Sequence, residues 1–251
     1  MQDISDIIIG GGEIGNSLYN TLSAEYACDI YDLKYGPSRL EGLKRNEYDY
    51  MHICFPYNDK FIESVENYKK IFKPKHVIVH STVPVGTCNG LGVMHSPCIG
   101  IHPDLTVSMK TFTKFISGGT SDARAEVANH FRRAGMTIYL TDKSESTELA
   151  KIMCTTYYGI NVEITKEIKR LCDKFGVPFE FWTLWNNNYN QGYIRLNHPE
   201  YVRQNLVPMM SEQGGHCTIN NTLLLENNFT RLLNFLNYNP GKDIDFFNYE
   251  N

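Results

Sequence analysis

The run Gly10-Gly11-Gly12-Glu13-Ile14-Gly15 satisfies the G-x-G-x-x-G spacing, follows the apolar segment Ile7-Ile8-Ile9 and opens a helical pattern that extends to Ala24. In that context the glycines carry chemistry. One allows a tight turn out of a strand, one lets the backbone approach a pyrophosphate, and one lets helix and strand pack closely, while the helix start favours an anion. Asp32 ends the next strand signal, Cys28-Asp29-Ile30-Tyr31. A carboxylate at that place accepts hydrogen bonds from an adenosine ribose and repels a 2′-phosphate. These residues predict a dinucleotide site that prefers NAD to NADP, with nearby Lys34 softening the preference. A second constellation, His80, His95, Cys98 and His102, includes a His-x-x-Cys-x-x-x-His run of metal-like spacing. Separate polar residues in loops explain it better, so no metal is expected there. His95 or His102 instead suits an acid or base role, because imidazole titrates near neutral pH.

The elements that must position these residues alternate in type. Strand signals fall at Ile7–Ile9, Cys28–Tyr31, Tyr50–Phe55 (stopped by Pro56) and His76–His80, with further strands near Cys98–Ile101, Phe115–Ser117 and Thr137–Leu140. Helical patterns cover roughly Asp59–Phe72 and Ala123–Ala134. Short apolar strands separated by helices imply parallel βαβ units, hence an α/β, Rossmann-type parallel sheet over residues 1–141. Beyond Thr141, apolar residues recur at helical spacing through Leu149, Met153, Tyr157, Ile160, Ile164, Ile168, Leu171 and Phe175. Asp142, Ser144 and Ser146 are candidate N-caps, and Gly176 followed by Pro178 is a stop signal. One central helix of about 30 residues, roughly 45 Å long, is predicted over about 145–176. It opens a helical domain, 142–251, in which Leu223–Leu236 is also expected to be helical.

Composition narrows the function classes. With 24 Lys+Arg against 28 Asp+Glu the chain has a formal net charge of -4, which offers no field to hold nucleic acid. A 42% hydrophobic and 21% charged composition is that of a globular protein. No apolar run reaches membrane-helix length, and the start MQDISDIIIGGG lacks the basic residues and cleavage site of a signal peptide. The seven cysteines are odd in number and contain no C-x-x-C pair, so reduced thiols and a cytoplasmic location are expected.

Three further motifs resemble one family. Ser81-Thr82-Val83-Pro84-Val85-Gly86-Thr87 is similar to the STVPPGT-type loop of the nucleotide-sugar 6-dehydrogenases, the UDP-glucose and UDP-ManNAc dehydrogenase group. Glu148-Leu149-Ala150-Lys151 resembles the start of their central-helix motif, and Gly214-Gly215-His216-Cys217 resembles the segment that carries their catalytic cysteine. With the glycine loop, the set lies in family order across most of residues 1–225. The resemblance implies oxidation of a sugar or sugar-nucleotide primary alcohol to a carboxylate with two NAD⁺. Cys217 is then the nucleophile, Lys151 the electrostatic stabiliser of the oxyanion, and Thr82 a neighbour of the nicotinamide and the attacking water. The implied cofactor-binding set is Gly10, Gly12, Glu13, Ile14, Gly15, Asp32, Pro56, Ser81 and Thr82. A small-molecule substrate and a homodimer built along the long helix are expected, with no nucleic-acid or membrane partner.

The chain also departs from that pattern. The family's Ser-Pro-Glu is Ser96-Pro97-Cys98, a second carboxylate position is His102, an asparagine position is Thr155, and the Lys-Asp pair after the cysteine is Asn220-Asn221. The family's C-terminal nucleotide-sugar-binding domain is expected to be absent, since the sequence closes at Asn251. Two alternatives therefore stand beside the four-electron reading: a two-electron hydroxy-acid-type dehydrogenase with His102 or Lys151 as base, and a non-catalytic dinucleotide-binding protein. Gly100-Ile101-His102-Pro103 also resembles a turn of prephenate-type dehydrogenases. Tyr189, Tyr193, Arg195, His198, Tyr201 and Arg203 form an aromatic-basic segment that suits either a phosphate or sugar ring or an ordinary surface loop.

Overall fold

Residues 4–35, 43, 45, 47–101, 103–208 and 216–225 are described in a computed structural model. Seven strands, β1 (Ser5–Ile9), β2 (Ala27–Tyr31), β3 (Tyr50–Ile53), β4 (His76–Val79), β5 (Met94–His95), β6 (Lys114–Ser117) and β7 (Ile138–Thr141), form one sheet in the order β2-β1-β3-β4-β5-β6-β7. Helices α1 (Glu13–Leu22), α2 (Phe61–Phe72), α3 (Thr87–Leu91), α4 (Leu105–Thr111) and α5 (Ser121–Arg133) connect them. Then follow α6 (Ser144–Phe175), α7 (Phe179–Arg195) and α8 (His216–Leu223).

The strands read as near-continuous apolar runs because both faces of the sheet are covered. Side chains alternate across a strand, so Ile7 and Ile9 join Met51, Ile53, Val79, Phe61 and Phe72 on one face. Ile8 joins Leu18, Leu22, Ile78, Val127 and Phe131 on the other. Each of those clusters is a core layer between the sheet and its helices.

The expected parallel sheet holds for every neighbouring pair except one: β5 pairs with β6 antiparallel through His95 and Ser117. The strand placed by sequence near Cys98–Ile101 lies instead at Met94–His95. The later segment follows Pro97, which has no N–H to donate to a ladder. The long helix runs over Ser144–Phe175, close to its predicted span. It ends at Gly176, whose φ of 66° is the left-handed turn that a residue with Cβ resists, and Val177 N closes the end by donating to Cys172 O at 2.8 Å. Of its candidate caps, Asp142 is committed to the Arg124 guanidinium.

The chain divides into two compact units, residues 1–152 and 153–251, a division that falls inside α6. In the second unit, Thr156 Oγ1 and Thr222 Oγ1 share a hydrogen bond of 2.8 Å, and α7 was not anticipated from sequence. The helix expected over Leu223–Leu236 falls outside the described residues beyond Leu225. Among the described residues, no helix is long and apolar enough to cross a membrane.

Candidate functional site

The sheet order reverses at β1, which has β2 on one side and β3 on the other. In a doubly wound sheet the crevice at such a switch point, beyond the carboxyl ends of the strands, is where ligands bind. Gly10 follows β1, Phe55-Pro56 follow β3, and Ser81-Thr82 follow β4, so three of the predicted segments sit at that one end.

The glycine loop is as tight as its residues require. Gly10 has φ of 102° and its N–H donates to Tyr31 O at 2.8 Å. A Cβ on Gly15 would lie 1.8 Å from the Gly10 carbonyl oxygen, so helix α1 and the strand end pack with no room for a side chain. A Cβ on Gly12 would meet nothing within 4 Å, which leaves the loop open on the outer side. Gly12 is the N-cap of α1 and no side chain bonds there, the arrangement that an anion completes. Asp32 is locked against the loop: Oδ2 accepts from Gly11 N at 2.6 Å and Oδ1 from Lys34 N at 2.8 Å. Each carboxylate oxygen keeps acceptor capacity for a ribose hydroxyl. Lys34 thus serves Asp32 through its main chain. Glu13 and Asn16 are exposed in the first turn, Ile14 is half-buried, and Asn16 Nδ2 donates to Gly11 O at 2.6 Å.

The neighbouring loops are tied together by the first turns of α6. Ser81 Oγ donates to Phe55 O at 2.6 Å, joining the loops after β3 and β4, with Thr82 half-buried and Pro56 exposed beside them. Glu148, fully buried, accepts from Gly86 N at 2.6 Å and from Cys88 N at 2.8 Å, one carboxylate oxygen each. Thr147 Oγ1 lies 2.6 Å from His95 Nδ1, and His95 Nε2 lies 3.2 Å from Ser81 O. Lys151 Nζ donates to Cys98 O at 2.8 Å. Glu148 and Lys151, three residues apart on one helix face, therefore engage two different loops. Burial pushes the His95 imidazole down to about 4; its contact with the Ser81 carbonyl opposes this, and Lys114 and Lys151 reinforce it. Burial and then the Glu148 charge push the Cys88 thiol far above its usual value, which makes it inert.

The structure thus places Gly10, Gly12, Glu13, Ile14 and Gly15 at the turn from β1 into α1, with Asp32, Pro56, Ser81 and Thr82 on loops at the same sheet end and Lys151 of α6 bonded to the loop after β5. Cys217 is the second residue of α8, in the second unit, and the grouping above concerns the first unit alone. The His80, His95, Cys98 and His102 constellation dissolves. His80 faces His52 at 3.0 Å, His95 is committed to Thr147 and Ser81, and His102 lies outside the described residues. In the aromatic-basic segment Arg203 stacks 3.7 Å from the Tyr189 ring centroid. Asn190 bonds the Arg203 main chain twice, at 2.8 and 2.9 Å, so these groups fasten the segment onto α7. Sequence reasoning missed the clamp made by Glu148. That residue stood in a quoted motif, but its partners are remote in the chain.

No family model matches the chain. It is similar to the UDP-N-acetyl-D-mannosamine dehydrogenase of Methanococcus vannielii, 26% identical over 150 residues that cover 56% of this chain and 32% of the relative. It is 32% identical over 104 residues to the enzyme of the same name from Methanococcus maripaludis, covering 41% of this chain and 21% of the relative. The matches therefore span a third or less of those relatives' length. The solved UDP-D-ManNAc dehydrogenase from Pyrococcus horikoshii superposes with a TM-score of 0.74 at 18% identity, over 93% of this chain and 66% of that one, a likeness of fold. The chain is thus similar in sequence, over part of its length, to UDP-N-acetyl-D-mannosamine dehydrogenases, and in fold to a solved enzyme of that kind.

Proposed function

We propose that the chain is an NAD-dependent oxidoreductase of the nucleotide-sugar dehydrogenase type, acting on the primary alcohol of a sugar or sugar nucleotide. The observation that carries the cofactor is the Asp32 carboxylate held 2.6 Å from Gly11 N, beside a helix start that no side chain caps. The fit is good: an open loop at Gly12, a close-packed Gly15, and a carboxylate with spare acceptor capacity. Gly10, Gly12, Glu13, Ile14 and Gly15 would cradle the pyrophosphate, Asp32 the ribose, and Pro56, Ser81 and Thr82 the nicotinamide side. When bound, NAD⁺ supplies the hydride acceptor.

In this reading the CH₂OH group would become an aldehyde by giving a hydride to bound NAD⁺ and a proton to solvent, and the later hydride would go to a second NAD⁺. The Cys217 thiolate adds to that aldehyde, a second hydride leaves, and water releases the thioester as a carboxylate and a regenerated thiolate. Lys151 stabilises the oxyanion of each tetrahedral species, since a fixed cation in a water-poor site acts where charge develops. Support for the acyl stage is the Gly-Gly-His-Cys resemblance. Cys98 and Asn221 stand where the family carries acids, and this favours a second, two-electron reading in which oxidation stops after one hydride.

NADH yield per molecule of UDP-sugar separates the readings: two equivalents for the four-electron path, one for the two-electron path, and none for a protein that only binds the dinucleotide. A homodimer is proposed along α6, where Leu149, Tyr157, Ile164, Leu171 and Phe175 are exposed at helical spacing. Light scattering that finds a monomer at micromolar concentration would oppose it. Six free thiols among the described residues fit the proposed cytoplasmic location.

A further inference from the structure

The sheet face that packs against α1 and α5 is polar at one spot. Asp6 of β1 and His52 of β3 are fully buried and His130 of α5 is 3% exposed. Both imidazoles aim Nε2 at the same carboxylate oxygen: His52 Nε2 and His130 Nε2 each lie 2.8 Å from Asp6 Oδ1. The strand register explains the convergence, since Asp6 pairs with Tyr50 and Ile8 with His52, which sets Asp6 and His52 on one face a diagonal apart. Cys28 of β2 approaches from the other side, its Sγ 3.8 Å from Asp6 Oδ2.

The glycine loop and the candidate catalytic residues make no use of this cluster. Asp6 lies at the end of β1 away from Gly10. Among the described residues, the ion pairs of Asp6 are with these two histidines and with no lysine or arginine. A buried carboxylate whose described ion-pair partners are two imidazoles, with no lysine or arginine, is a place where a bound cation would offset the cost of burial.

We propose that Asp6, His52 and His130, with Cys28 as fourth ligand, form a buried structural site for Zn²⁺ in the core of the sheet. Two imidazole nitrogens, a carboxylate oxygen and a thiolate are a zinc donor set, and four protein ligands with no open position mark a structural site. The charges also balance: Zn²⁺ against one carboxylate and one thiolate, with two neutral imidazoles. Binding displaces the Cys28 thiol proton to solvent and puts the remaining proton of each ligating imidazole on Nδ1. For His52 that nitrogen already faces His80 Nε2 at 3.0 Å, the outer contact that orients a ligating imidazole. The three ligand atoms already lie within 4.8 Å of one another. The His52–Asp6 and His130–Asp6 donor pairs, now 2.8 Å apart, need to open by about 0.6 Å to span the edge of a tetrahedron with roughly 2.1 Å metal bonds, and Cys28 Sγ, which lies outside that group of three, closes onto it when the ion binds. The ion would stitch β1, β2 and β3 to α5.

The test uses the full chain, stripped with a chelator and titrated with Zn²⁺ or Co²⁺ alone. One equivalent should survive dialysis, zinc should raise the thermal midpoint, and the cobalt form should show tetrahedral ligand-field bands with a thiolate charge-transfer band. Asp6→Asn and His130→Gln should weaken retention by at least about a hundredfold, at or beyond the upper range for outer-shell losses. Cys28→Ser should remove the charge-transfer band. Should the Asp6 and His130 variants fail to fold, X-ray absorption of the zinc form of the unaltered chain decides the matter. A shell of two imidazoles, one oxygen and one sulfur supports the site, and a sulfur-rich shell overturns it. Absence of a retained equivalent, or a cobalt spectrum unchanged in folded His130→Gln, also overturns it. None of these readouts depends on dinucleotide binding or turnover.

Discussion

Replacement of Glu148 isolates the clamp that shapes the loop between β4 and α3. The side chain is fully buried and each carboxylate oxygen takes one main-chain N–H, from Gly86 at 2.6 Å and from Cys88 at 2.8 Å. A hydrogen bond to a charged group contributes about 1.5–3 kcal/mol, and a buried donor left without a partner costs a similar amount. Glu148→Ala removes both acceptors, so the expected loss is about 3–5 kcal/mol, a large part of the roughly 5–15 kcal/mol that holds a domain folded. Glu148→Gln keeps the volume and one acceptor, but its NH₂ must face an N–H, so the expected loss is about 1.5–3 kcal/mol. Urea denaturation gives the energies, and hydrogen exchange at the Gly86 and Cys88 amides reports the loop. An Ala variant within about 0.5 kcal/mol of the parent, with unchanged exchange at those two amides, would refute the reasoning, because buried donors cannot lose a carboxylate at no cost.

Four other outcomes are expected. NADP⁺ should bind at least about tenfold more weakly than NAD⁺ in calorimetry, with Asp32→Ala narrowing the gap, since the carboxylate both bonds the ribose and repels a 2′-phosphate; equal affinities in the parent would count against this. Gly15→Ala, whose Cβ would sit 1.8 Å from Gly10 O, should abolish dinucleotide binding or folding, whereas Gly12→Ala, with nothing within 4 Å, should leave the fold unchanged by circular dichroism. His95, pushed down to about 4 by burial, stays neutral in the fold while the unfolded chain takes up its proton near pH 6.5. Stability is then full above about pH 6.5 and declines by roughly 3 kcal/mol as pH falls toward about 4, a slope that urea midpoints would read and that His95→Gln should flatten. If Cys217 is the nucleophile, iodoacetamide should modify it faster than the other cysteines near neutral pH and NAD⁺ should change that rate, so a slow, NAD⁺-insensitive Cys217 would argue against the acyl stage.

What the sequence disclosed and what it hid follow from how each feature is encoded. Ile7-Ile8-Ile9, Tyr50–Phe55 and His76–His80 were readable because a strand covered on both faces is a short apolar run, and the glycine loop was readable because its geometry is local. The long helix was readable because a three- and four-residue apolar spacing repeats over many turns. Strand direction is not encoded in hydrophobic spacing, so the antiparallel β5/β6 pair left no trace, and a two-residue strand at Met94–His95 is too short to make a pattern. Helix α7 stayed hidden because most of its apolar residues, among them Phe181, Leu184, Trp185 and Ile194, are exposed, and an Asn-rich stretch breaks the periodicity. Glu148 and the Asp6–His52–His130 cluster depend on approaches between segments far apart in the chain. In the sequence His52 is only a polar interruption of a strand.

Where the resembled nucleotide-sugar dehydrogenases carry Ser-Pro-Glu, this chain has Ser96-Pro97-Cys98, and the main chain of that segment engages two lysines. Lys151 donates to Cys98 O at 2.8 Å, and Lys114, only 4% exposed, donates to Ser96 O at 2.9 Å, to Pro97 O at 3.3 Å and approaches Cys98 Sγ at 3.7 Å. Two ammonium groups are thus held by the main chain of the same three residues. The Ser96 and Pro97 carbonyl oxygens orient Lys114 without neutralising it, whereas a carboxylate in place of Cys98 would offset its charge. In the proposed reaction this shifts the work from a carboxylate base to cationic stabilisation: an alkoxide or a tetrahedral oxyanion beside this segment gains from the positive field, and a water that needs its proton removed does not. That favours the hydride-transfer stage over thioester hydrolysis. It predicts that Cys98→Glu slows both NADH-forming steps and speeds thioester hydrolysis, so the NADH burst falls in rate while release of the carboxylate product rises, which burst kinetics on the aldehyde and alcohol forms of one UDP-sugar would separate.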